Sequence, residues 1–452
     1  MFNDAELNVL DKLSIIAEKN NYIPPEIYSR YNVKRGLRNE DGTGVLVGLT
    51  DIGEVHGYII DDAERLPAEG RLMYRGIDIK NIVNGFQEEG RSGFEEVSYL
   101  LLFGTLPNEK ELADFNRLLG SSRKLPVGFT ENMILKNPSK DIMNKLQRSI
   151  LVSYSYDSNP DDTSIKNVLR QSIELIARFP TIISYGYHAK QHYYANKSLF
   201  IHAPRPDLGT AENILHMIRP DNKYTRTEAE LLDLAMVLHA EHGGGNNSAF
   251  ATYVVTSTGT DTYSSITAAV AALKGPKHGG ANFRVMNMIE NIKHNISDWE
   301  DKDELKHYLL KMLNKEVFDK SGLIYGIGHA IYTLSDPRAL LLKEKALKLA
   351  QEKSRLEEFN LYKNVEEMAI RAFAEYKETD AAVSANVDFY SGFVYDMLNI
   401  PKELYTPIFA AARISGWCAH RIEQLVSEQR IIRPAYKCVA KATPYIPLNN
   451  RG

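Results

Sequence analysis

Apolar residues recur at helical spacing along most of this chain from about residue 90 onward, and this periodicity limits the fold more than any other feature. Between Gly36 and Ile79 the sequence is richer in glycine and has short β-prone runs such as Val45-Leu46-Val47. A chain of 452 residues, 44% of them hydrophobic, can bury a large core. The sequence therefore predicts a mainly α-helical protein with a small β-containing amino-terminal portion.

One predicted helix is especially well marked. Thr225 and Glu228 form a capping-box pattern at its start. An apolar stripe follows at helical spacing, made of Leu231, Ala235, Leu238 and His242. Residues at this spacing share one face of a helix, so His242 should lie at the carboxyl end of a buried face. We expect the helix to end at Gly243.

Further helices are predicted at 303–315 and 365–377. The stretch from Gly392 to Trp417 contains Pro401 and Pro407. Because proline interrupts helical hydrogen bonding, we expect both residues to divide this stretch into shorter helices.

Charge and cysteine content exclude several classes of protein. The formal net charge is -4, and no basic block is present that could follow a nucleic-acid backbone. Only two cysteines occur, Cys418 and Cys438, which favours free thiols in a reducing compartment. Met1–Asn21 lacks the apolar core of a signal peptide, and the smoothest apolar stretch, Ile266–Leu273, is far shorter than the ~20 residues that span a bilayer. We expect a cytoplasmic protein without nucleic-acid or membrane partners.

Four short segments concentrate histidine, glycine and charge. They are His239–Asn246, Gly275–Asn282, Gly326–His329 together with Asp336–Arg338, and Asn386–Gly392. Glycine lets the backbone approach a ligand closely, so a histidine among glycines is a group that a ligand can reach. The alternative for each segment is a histidine that merely occupies a tight turn.

A metal site and a serine nucleophile are the two alternative chemistries. His239 and His242 could share a metal ion with His278 or His329, as in a helical metal-binding or scaffold protein. Their spacing differs from the His-Glu-x-x-His pattern of zinc hydrolases, which argues against metal. A serine nucleophile is disfavoured because no Gly-x-Ser-x-Gly motif occurs.

In this order and at these spacings, the four segments resemble the citrate synthase family. Gly70–Ile77 and Phe94–Val97 are similar to the early β-hairpin of that family and the helix after it. The resemblance implies a two-domain helical fold. Its large domain would comprise 1–282 plus 401–452, and its small domain, carrying part of the active site, would comprise 283–400.

The resemblance also implies a reaction, the condensation of acetyl-CoA with oxaloacetate followed by hydrolysis to citrate and CoA in the tricarboxylic acid cycle. Asp388 would remove a methyl proton, His278 would donate a hydrogen bond to the thioester oxygen, and His329 would polarise the ketone. His278 is best neutral for this role, and a position just before a helix favours the neutral ring. The alternative for Asp388 is a helix cap.

Oxaloacetate is a dianion, and planar arginines suit its carboxylates. The resemblance assigns this role to Arg338, Arg413 and Arg433, with His239 and His242 alongside them. In the family the last arginine reaches the neighbouring subunit, which implies a homodimer or a higher homo-oligomer. Without the resemblance, Arg413 and Arg433 would read as surface charges.

The acetyl-CoA co-substrate should lie along Leu323, Ile324 and Gly326 and near Asn386. No permanently bound cofactor and no metal are expected. The sequence departs from several family members at Thr333, where they carry a basic residue that can meet a CoA phosphate. Lys274 and Lys277 are alternative partners for that phosphate. A 2-methylcitrate synthase, which takes propionyl-CoA, has the same catalytic set and stays open as an alternative.

Overall fold

The computed structural model describes residues 2–61, 64–378, 383–428 and 430–451. The chain forms two compact units, Met1–Leu49 and Thr50–Gly452. The described residues contain seventeen α-helices and one three-stranded sheet, so the predicted mainly α-helical class is confirmed. The predicted large domain, 1–282 plus 401–452, and small domain, 283–400, stay a prediction.

The α-helices are, in chain order, α1 (Asp4–Asn21), α2 (Pro25–Arg30), α3 (Ile79–Glu88), α4 (Phe94–Phe103), α5 (Glu109–Ser122), α6 (Ile142–Ser153), α7 (Ile165–Ala195), α8 (Thr210–Ile218), α9 (Arg226–His239), α10 (Asn247–Thr256), α11 (Thr262–Lys274), α12 (Ala281–Asn295), α13 (Lys302–Leu313), α14 (Pro337–Glu352), α15 (Leu356–Lys377), α16 (Val387–Met397) and α17 (Tyr405–Ser427). Single helical turns occur at Arg35–Leu37, Thr130–Leu135, Tyr154–Tyr156, Lys402–Leu404 and Leu448–Asn450. Among the described residues, no helix combines the length and the apolar character that crossing a membrane requires.

In the first unit, α1 begins with a complete capping box between Asn3 and Glu6, yet none of its side chains is buried. The β-prone run Val45-Leu46-Val47 forms no strand, so that part of the sequence-based prediction is wrong. Leu46 is exposed, and the described residues offer this run no neighbouring strand beyond the single bridge of Arg38 to Gly44. A β-prone side chain favours a strand only when a partner strand and a buried face are present.

In the second unit, the sheet consists of β1 (Gly53–Asp61), β2 (Glu64–Tyr74) and β3 (Ile77–Asp78), joined antiparallel in the order β1-β2-β3. Arg75 and Gly76 form the turn between β2 and β3, and both have positive φ, 49° and 79°. Positive φ at both central residues is typical of a tight hairpin turn. The early hairpin expected from the family resemblance is therefore present.

Glycines in the sheet let a later loop approach its backbone. A Cβ atom at Gly57 would lie 2.6 Å from the carbonyl oxygen of Ile331, and one at Gly70 would lie 2.1 Å from that of Ser335. Thr333 lies between these contacts and donates a hydrogen bond of 2.6 Å to the carbonyl of Gly57. The loop that follows His329 is thereby fixed against the sheet.

The core of the second unit is organised around α17, which is buried along most of its length and contacts α4, α6, α7, α9, α10 and α11. The predicted interruption at Pro401 is confirmed, because α16 ends before it and α17 begins after it. The interruption expected at Pro407 is wrong. Pro407 lies in the first turn of α17, where a backbone N–H has no helical partner to lose.

The helix that leads into the first histidine segment, α9, starts at the predicted capping box, where the hydroxyl of Thr225 accepts from the N–H of Glu228. It ends at His239 and not at the predicted Gly243. His242 therefore lies in the turn after the helix. The other two predicted helices are present as α13 and α15, although α15 begins earlier than expected, at Leu356.

Candidate active site

The carboxyl end of α9 and the turn after it bring two histidines into the interior. His239 is completely buried against the rings of Phe409 and Tyr395, with ring centroids 4.4 and 6.5 Å away. Neither ring nitrogen of His239 has a hydrogen-bond partner among the described residues. Burial, together with nearby arginine charges, holds its pKa well below the usual value, so the ring is neutral.

His242 is buried beside the third histidine segment. Its ring centroid lies 5.2 Å from that of His329 and 5.6 Å from that of Tyr332. Burial, with Arg338 as the next largest cause, keeps its pKa well below the usual value. The Nε2 atom of His242 is buried without a partner in the described part of the chain. A polar ligand would satisfy this atom, since buried polar groups are normally hydrogen-bonded.

His278 lies in the turn between α11 and α12, three residues before α12 begins at Ala281. Burial lowers its pKa to about 4, and the charge of Arg413 acts in the same direction. The ring is therefore neutral at neutral pH, as the chemistry expected for it requires. Its Nε2 lies 3.2 Å from the hydroxyl of Ser248.

Ser248 was not singled out by the sequence analysis, although it lies two residues after the first histidine segment. Its hydroxyl contacts His278, accepts a 3.0 Å hydrogen bond from the indole N–H of Trp417, and can donate to Asn246 at 2.9 Å. This contact holds the His278 ring by its Nε2 edge.

The third and fourth segments form one structural unit. Ile327 and Ala385 pair in an antiparallel bridge. Asn386 strengthens the pairing, because its N–H donates to the carbonyl of Gly326 and its side-chain amide donates to that of Gly328, both at 2.9 Å. Gly326 has φ +81°, and a Cβ there would lie 2.8 Å from a methyl of Val285. Only glycine fits this position without strain.

The loop of the third segment fixes the ring of His329. Its Nδ1 accepts hydrogen bonds from the backbone N–H groups of Ile331 and Tyr332, at 3.1 and 3.2 Å. A nitrogen that accepts two hydrogen bonds carries no proton, so the neutral ring has its proton on Nε2. His329 can therefore act as a hydrogen-bond donor through Nε2.

Asp336 joins the amino termini of α14 and α16. Its carboxylate holds the guanidinium of Arg338 through two hydrogen bonds of 3.0 and 2.7 Å. The same carboxylate accepts from the N–H of Val387, the first residue of α16, at 3.1 Å. Asp336, which the sequence analysis named only as part of the Asp-Pro-Arg motif, thus positions both Arg338 and the start of the helix that carries Asp388.

Asp388 is the second residue of α16, and the helix cap is Asn386, whose side chain accepts from the N–H of Asp388 at 3.0 Å. The alternative in which Asp388 serves as the cap is therefore wrong. Burial raises the pKa of Asp388 to about 6, although Arg338 and Arg413 lower it in part. A carboxyl with this pKa is ionised at neutral pH and basic enough to take a proton.

Arg413 is 1% exposed, so the alternative that it is a surface charge is wrong. Its Nε donates to the carbonyl of His239 at 2.6 Å, and the guanidinium lies over the ring of Phe409. Its Nη1 is buried and has no hydrogen-bond partner in the described residues. Arg433 lies on the exposed, extended segment after α17 and takes part in none of these hydrogen bonds.

The residues expected to hold CoA lie on the same loop as His329. Ile324 is buried and Leu323 is exposed, just before Gly326. Thr333, where a basic residue was expected from the family, donates its hydroxyl hydrogen bond to the sheet. Of the alternative phosphate partners, Lys274 lies 4.0 Å from Asp141, and Lys277 is exposed.

The site combines two buried guanidinium groups, neutral histidines and one carboxyl of raised pKa. Such a set can bind a small dicarboxylate, polarise a carbonyl and accept a proton from carbon. Within the described ranges, no three or more His, Cys, Asp or Glu side chains are arranged to hold a metal ion.

Comparison with known proteins agrees with this chemistry. The family model described as the carboxyl-terminal domain of citrate synthase matches residues 41–435. The chain belongs to the citrate synthase family. The citrate synthase of Deinococcus radiodurans is 35% identical over 388 residues, which cover 85% of this chain and 94% of that protein. The 2-methylcitrate synthase 1 of Corynebacterium glutamicum is 29% identical over 425 residues, 93% of this chain and 98% of that protein.

Solved structures give the same result. The citrate synthase of Thermoplasma acidophilum, in a ternary complex with carboxymethyl coenzyme A and oxaloacetate, superposes with a TM-score of 0.74 at 27% identity and covers 93% of this chain and 99% of its own. Members of the family are acyltransferases that form citrate. The predicted family, fold and enzyme class are therefore confirmed.

Proposed function

We propose that this protein condenses acetyl-CoA with oxaloacetate and hydrolyses citryl-CoA to citrate and CoA, with no permanently bound cofactor. The observation that carries the proposal is the cluster of buried polar atoms without partners in the described residues, on Arg413, His239 and His242, beside the buried Arg338. A dianion such as oxaloacetate supplies the acceptors that the arginines need. The ternary complex of the Thermoplasma acidophilum relative, which holds oxaloacetate, supports this choice.

Proton removal is assigned to Asp388. The methyl group of a thioester is a weak carbon acid, so a base must act together with a group that stabilises the enolate. Asp388, with a pKa of about 6, is the base, and the neutral His278 donates a hydrogen bond to the thioester oxygen. The enol carbon then attacks the ketone of oxaloacetate.

Polarisation of that ketone is assigned to His329. Its proton on Nε2 gives it a hydrogen bond to donate, and the oxygen of the ketone gains negative charge as the carbon bond forms. Arg338 and Arg413 neutralise the two carboxylates, and His242 and His239 complete the pocket. Asp336 keeps Arg338 and Asp388 in register.

CoA is proposed to lie along Leu323, Ile324 and Gly326 and near Asn386. We further propose that 283–400 act as a small domain that closes on the large domain, 1–282 plus 401–452, once oxaloacetate is bound. Closure excludes water until the carbon bond is made. The enzyme is assigned to the cytoplasm and the tricarboxylic acid cycle.

A homodimer or higher oligomer is proposed from Arg433. This residue is exposed and lies on a segment without regular secondary structure, which can reach a neighbouring subunit. By the family resemblance it would complete the oxaloacetate site of that subunit. Light scattering tests the assembly. Mixing Arg433→Ala protein with an inactive Asp388→Asn protein should restore part of the activity if the arginine is supplied between subunits.

A second candidate function is 2-methylcitrate synthesis from propionyl-CoA, favoured by the 2-methylcitrate synthase relative. One methylene in an apolar pocket changes discrimination by only ~1–3 kcal/mol, so the shared catalytic residues do not separate the two. The test is release of CoA thiol with oxaloacetate, with acetyl-CoA and propionyl-CoA compared by kcat/KM. A preference for acetyl-CoA supports the proposal, and a preference for propionyl-CoA replaces it. No release with either would refute both.

A further inference from the structure

A carboxylate with no assigned role lies between the two oxaloacetate-binding histidines. Glu241 follows His239 by two residues and directly precedes His242, and it is completely buried. The hydroxyl of Tyr74 donates to the carbonyl of Glu241 at 3.1 Å and accepts from its N–H at 3.3 Å. The turn that carries both histidines is therefore held to β2, while the Glu241 side chain extends into the core.

The side chain of Glu241 fits into a gap left by glycine. A Cβ atom at Gly416 would lie 2.3 Å from its Oε2, and one at Gly53 would lie 2.8 Å from its Cγ. Gly416 occurs on α17 between Arg413 and His420, at positions that share one helix face. The carboxylate is therefore placed between a guanidinium and an imidazole on the same helix.

Of these two cationic partners, His420 is the one that Glu241 contacts. The Nε2 of His420 lies 2.9 Å from Oε2 of Glu241, and both side chains are almost completely buried. The other ring nitrogen, Nδ1, lies 2.7 Å from the hydroxyl of Tyr253, which donates in turn to Glu423. Glu241 and Glu423 lie at the two ends of this series of contacts, and both carboxylates stabilise a His420 ring that is protonated on both nitrogens.

The charges around His420 come from each element that packs on it. The carboxylates are Glu241 from the turn after α9 and Glu423 from α17, and the neutral hydroxyl of Tyr253 from α10 contacts the ring between them. Burial lowers the pKa of His420, but the nearby carboxylates of Glu241 and Glu423 outweigh it and raise the pKa to about 9. The pKa of Glu241 is lowered despite its burial, since His420 and Arg413 favour its charged form.

Arg413, by contrast, makes no hydrogen bond to Glu241 within the described residues. Its Nε donates to the carbonyl of His239, and its Nη1 has no partner among the described residues. A buried guanidinium near a buried carboxylate would normally pair with it. The carboxylate oxygens of Glu241 likewise have no hydrogen-bond partner among the described residues, so the ion pair with His420 at 2.9 Å is what neutralises Glu241 and leaves Arg413 available.

We propose that His420 is a positioning residue for oxaloacetate binding: its imidazolium pairs with Glu241 and so keeps that carboxylate from competing with the substrate for Arg413. The inference rests on the proposed function, since Arg413 is assigned there to a substrate carboxylate. His420 touches neither substrate nor reacting atom in this scheme. Its effect passes through Glu241 and Arg413.

The test is oxaloacetate binding to the full-length protein at neutral pH by calorimetry, with three variants. His420→Gln removes the positive charge, leaves Glu241 to capture Arg413, and should weaken binding by at least about tenfold, the scale of a hydrogen bond to a charged group. Glu241→Gln removes the competitor and should bind within about threefold of wild type. The double variant should also bind within about threefold, because it lacks both the competitor and its partner.

This rescue separates positioning from mere packing. If the pair only supported the fold, Glu241→Gln would weaken binding as much as His420→Gln, and the double variant would bind no better than either. That pattern, or unchanged binding in His420→Gln, would overturn the proposal. His188→Gln, which removes another buried histidine that contacts the carbonyl of Met217, is the matched control and should bind oxaloacetate like wild type.

Two further measurements keep the test decisive. Nitrogen NMR of histidine-labelled wild type should show His420 protonated on both ring nitrogens at neutral pH, and a neutral ring would overturn the proposal even if a variant failed to fold. Wild-type protein that binds no oxaloacetate would refute the proposed function itself. Wild-type binding with no effect of His420→Gln would refute only the role of His420.

Discussion

Replacing Asp388 by asparagine should abolish turnover and at the same time stabilise the folded protein. Burial raises the pKa of this carboxyl from 3.8 to about 6, so the ionised form that catalysis needs is disfavoured in the fold. The free-energy equivalent is roughly 3 kcal/mol of unfolding free energy near pH 8, at 1.36 kcal/mol for each pH unit between the two values. Asparagine has nearly the same shape and carries no charge.

The size of this effect depends on pH in a defined way. The folded state binds the proton of Asp388 more tightly than the unfolded state. The contribution of Asp388 to the free energy of unfolding is therefore highest at low pH and is lost as pH rises through about 6. The advantage of the Asp388→Asn variant should therefore be roughly 3 kcal/mol near pH 8 and about half of that near pH 5. It should vanish below the unfolded-state pKa.

Urea denaturation of wild type and variant at the two pH values measures this difference, and CoA thiol release measures the lost activity. Asp319→Asn is the matched control. Its carboxylate accepts from the hydroxyl of Tyr325 and the N–H of Ser321, which lower its pKa, so this variant should lose stability. An Asp388→Asn protein no more stable than wild type near pH 8, or equally stabilised at both pH values, would refute the reasoning.

Three further outcomes are expected. The kcat/KM should fall about tenfold per pH unit below about 6, because Asp388 must be ionised to act as a base; a pH profile that stays flat down to pH 5 would remove it from that role. Gly416→Ala would place a methyl group 2.3 Å from the carboxylate of Glu241. This variant should lower the midpoint of thermal unfolding by an amount equivalent to about 1–3 kcal/mol and raise the KM for oxaloacetate. An unchanged midpoint would contradict the packing described. Asp336→Asn leaves Arg338 without its buried partner. The free energy of unfolding, measured by urea denaturation, should fall by on the order of 3 kcal/mol, and kcat should fall as well. Stability equal to wild type would show that the pair contributes little.

The sequence predicted the helical class, the capping box of α9 and the chemical character of the site, because these depend on local spacing and on motifs. It misplaced the end of α9, since the carboxyl end of a helix depends on what packs against it. The neutral state of His278 was expected from its chemistry and agrees with its lowered pKa. The burial of Arg413 came only from the family resemblance, because an isolated arginine normally reads as a surface charge.

The remaining features join residues that are far apart in sequence. The bond from Asp336 to the N–H of Val387 and the pair of Glu241 with His420 leave no periodic signal in a single sequence. Ser248 could have been found from its place after the first histidine segment, but its contact with His278 depends on how α10 packs. Such contacts are set by tertiary structure, and only the folded structure reveals them.

The bridge between Ile327 and Ala385 has a consequence for how this enzyme can vary. His329 and Asp388 follow two short backbone segments that are paired with each other, so the residues proposed to polarise the ketone and to act as the base share one small frame. The 58 residues between His329 and Asp388, which include α14 and α15, leave this frame and return to it. The sequence of these intervening residues can therefore change, by evolution or by design, and so tune how fast substrates enter. The paired backbone segments keep the distance between His329 and Asp388 unchanged.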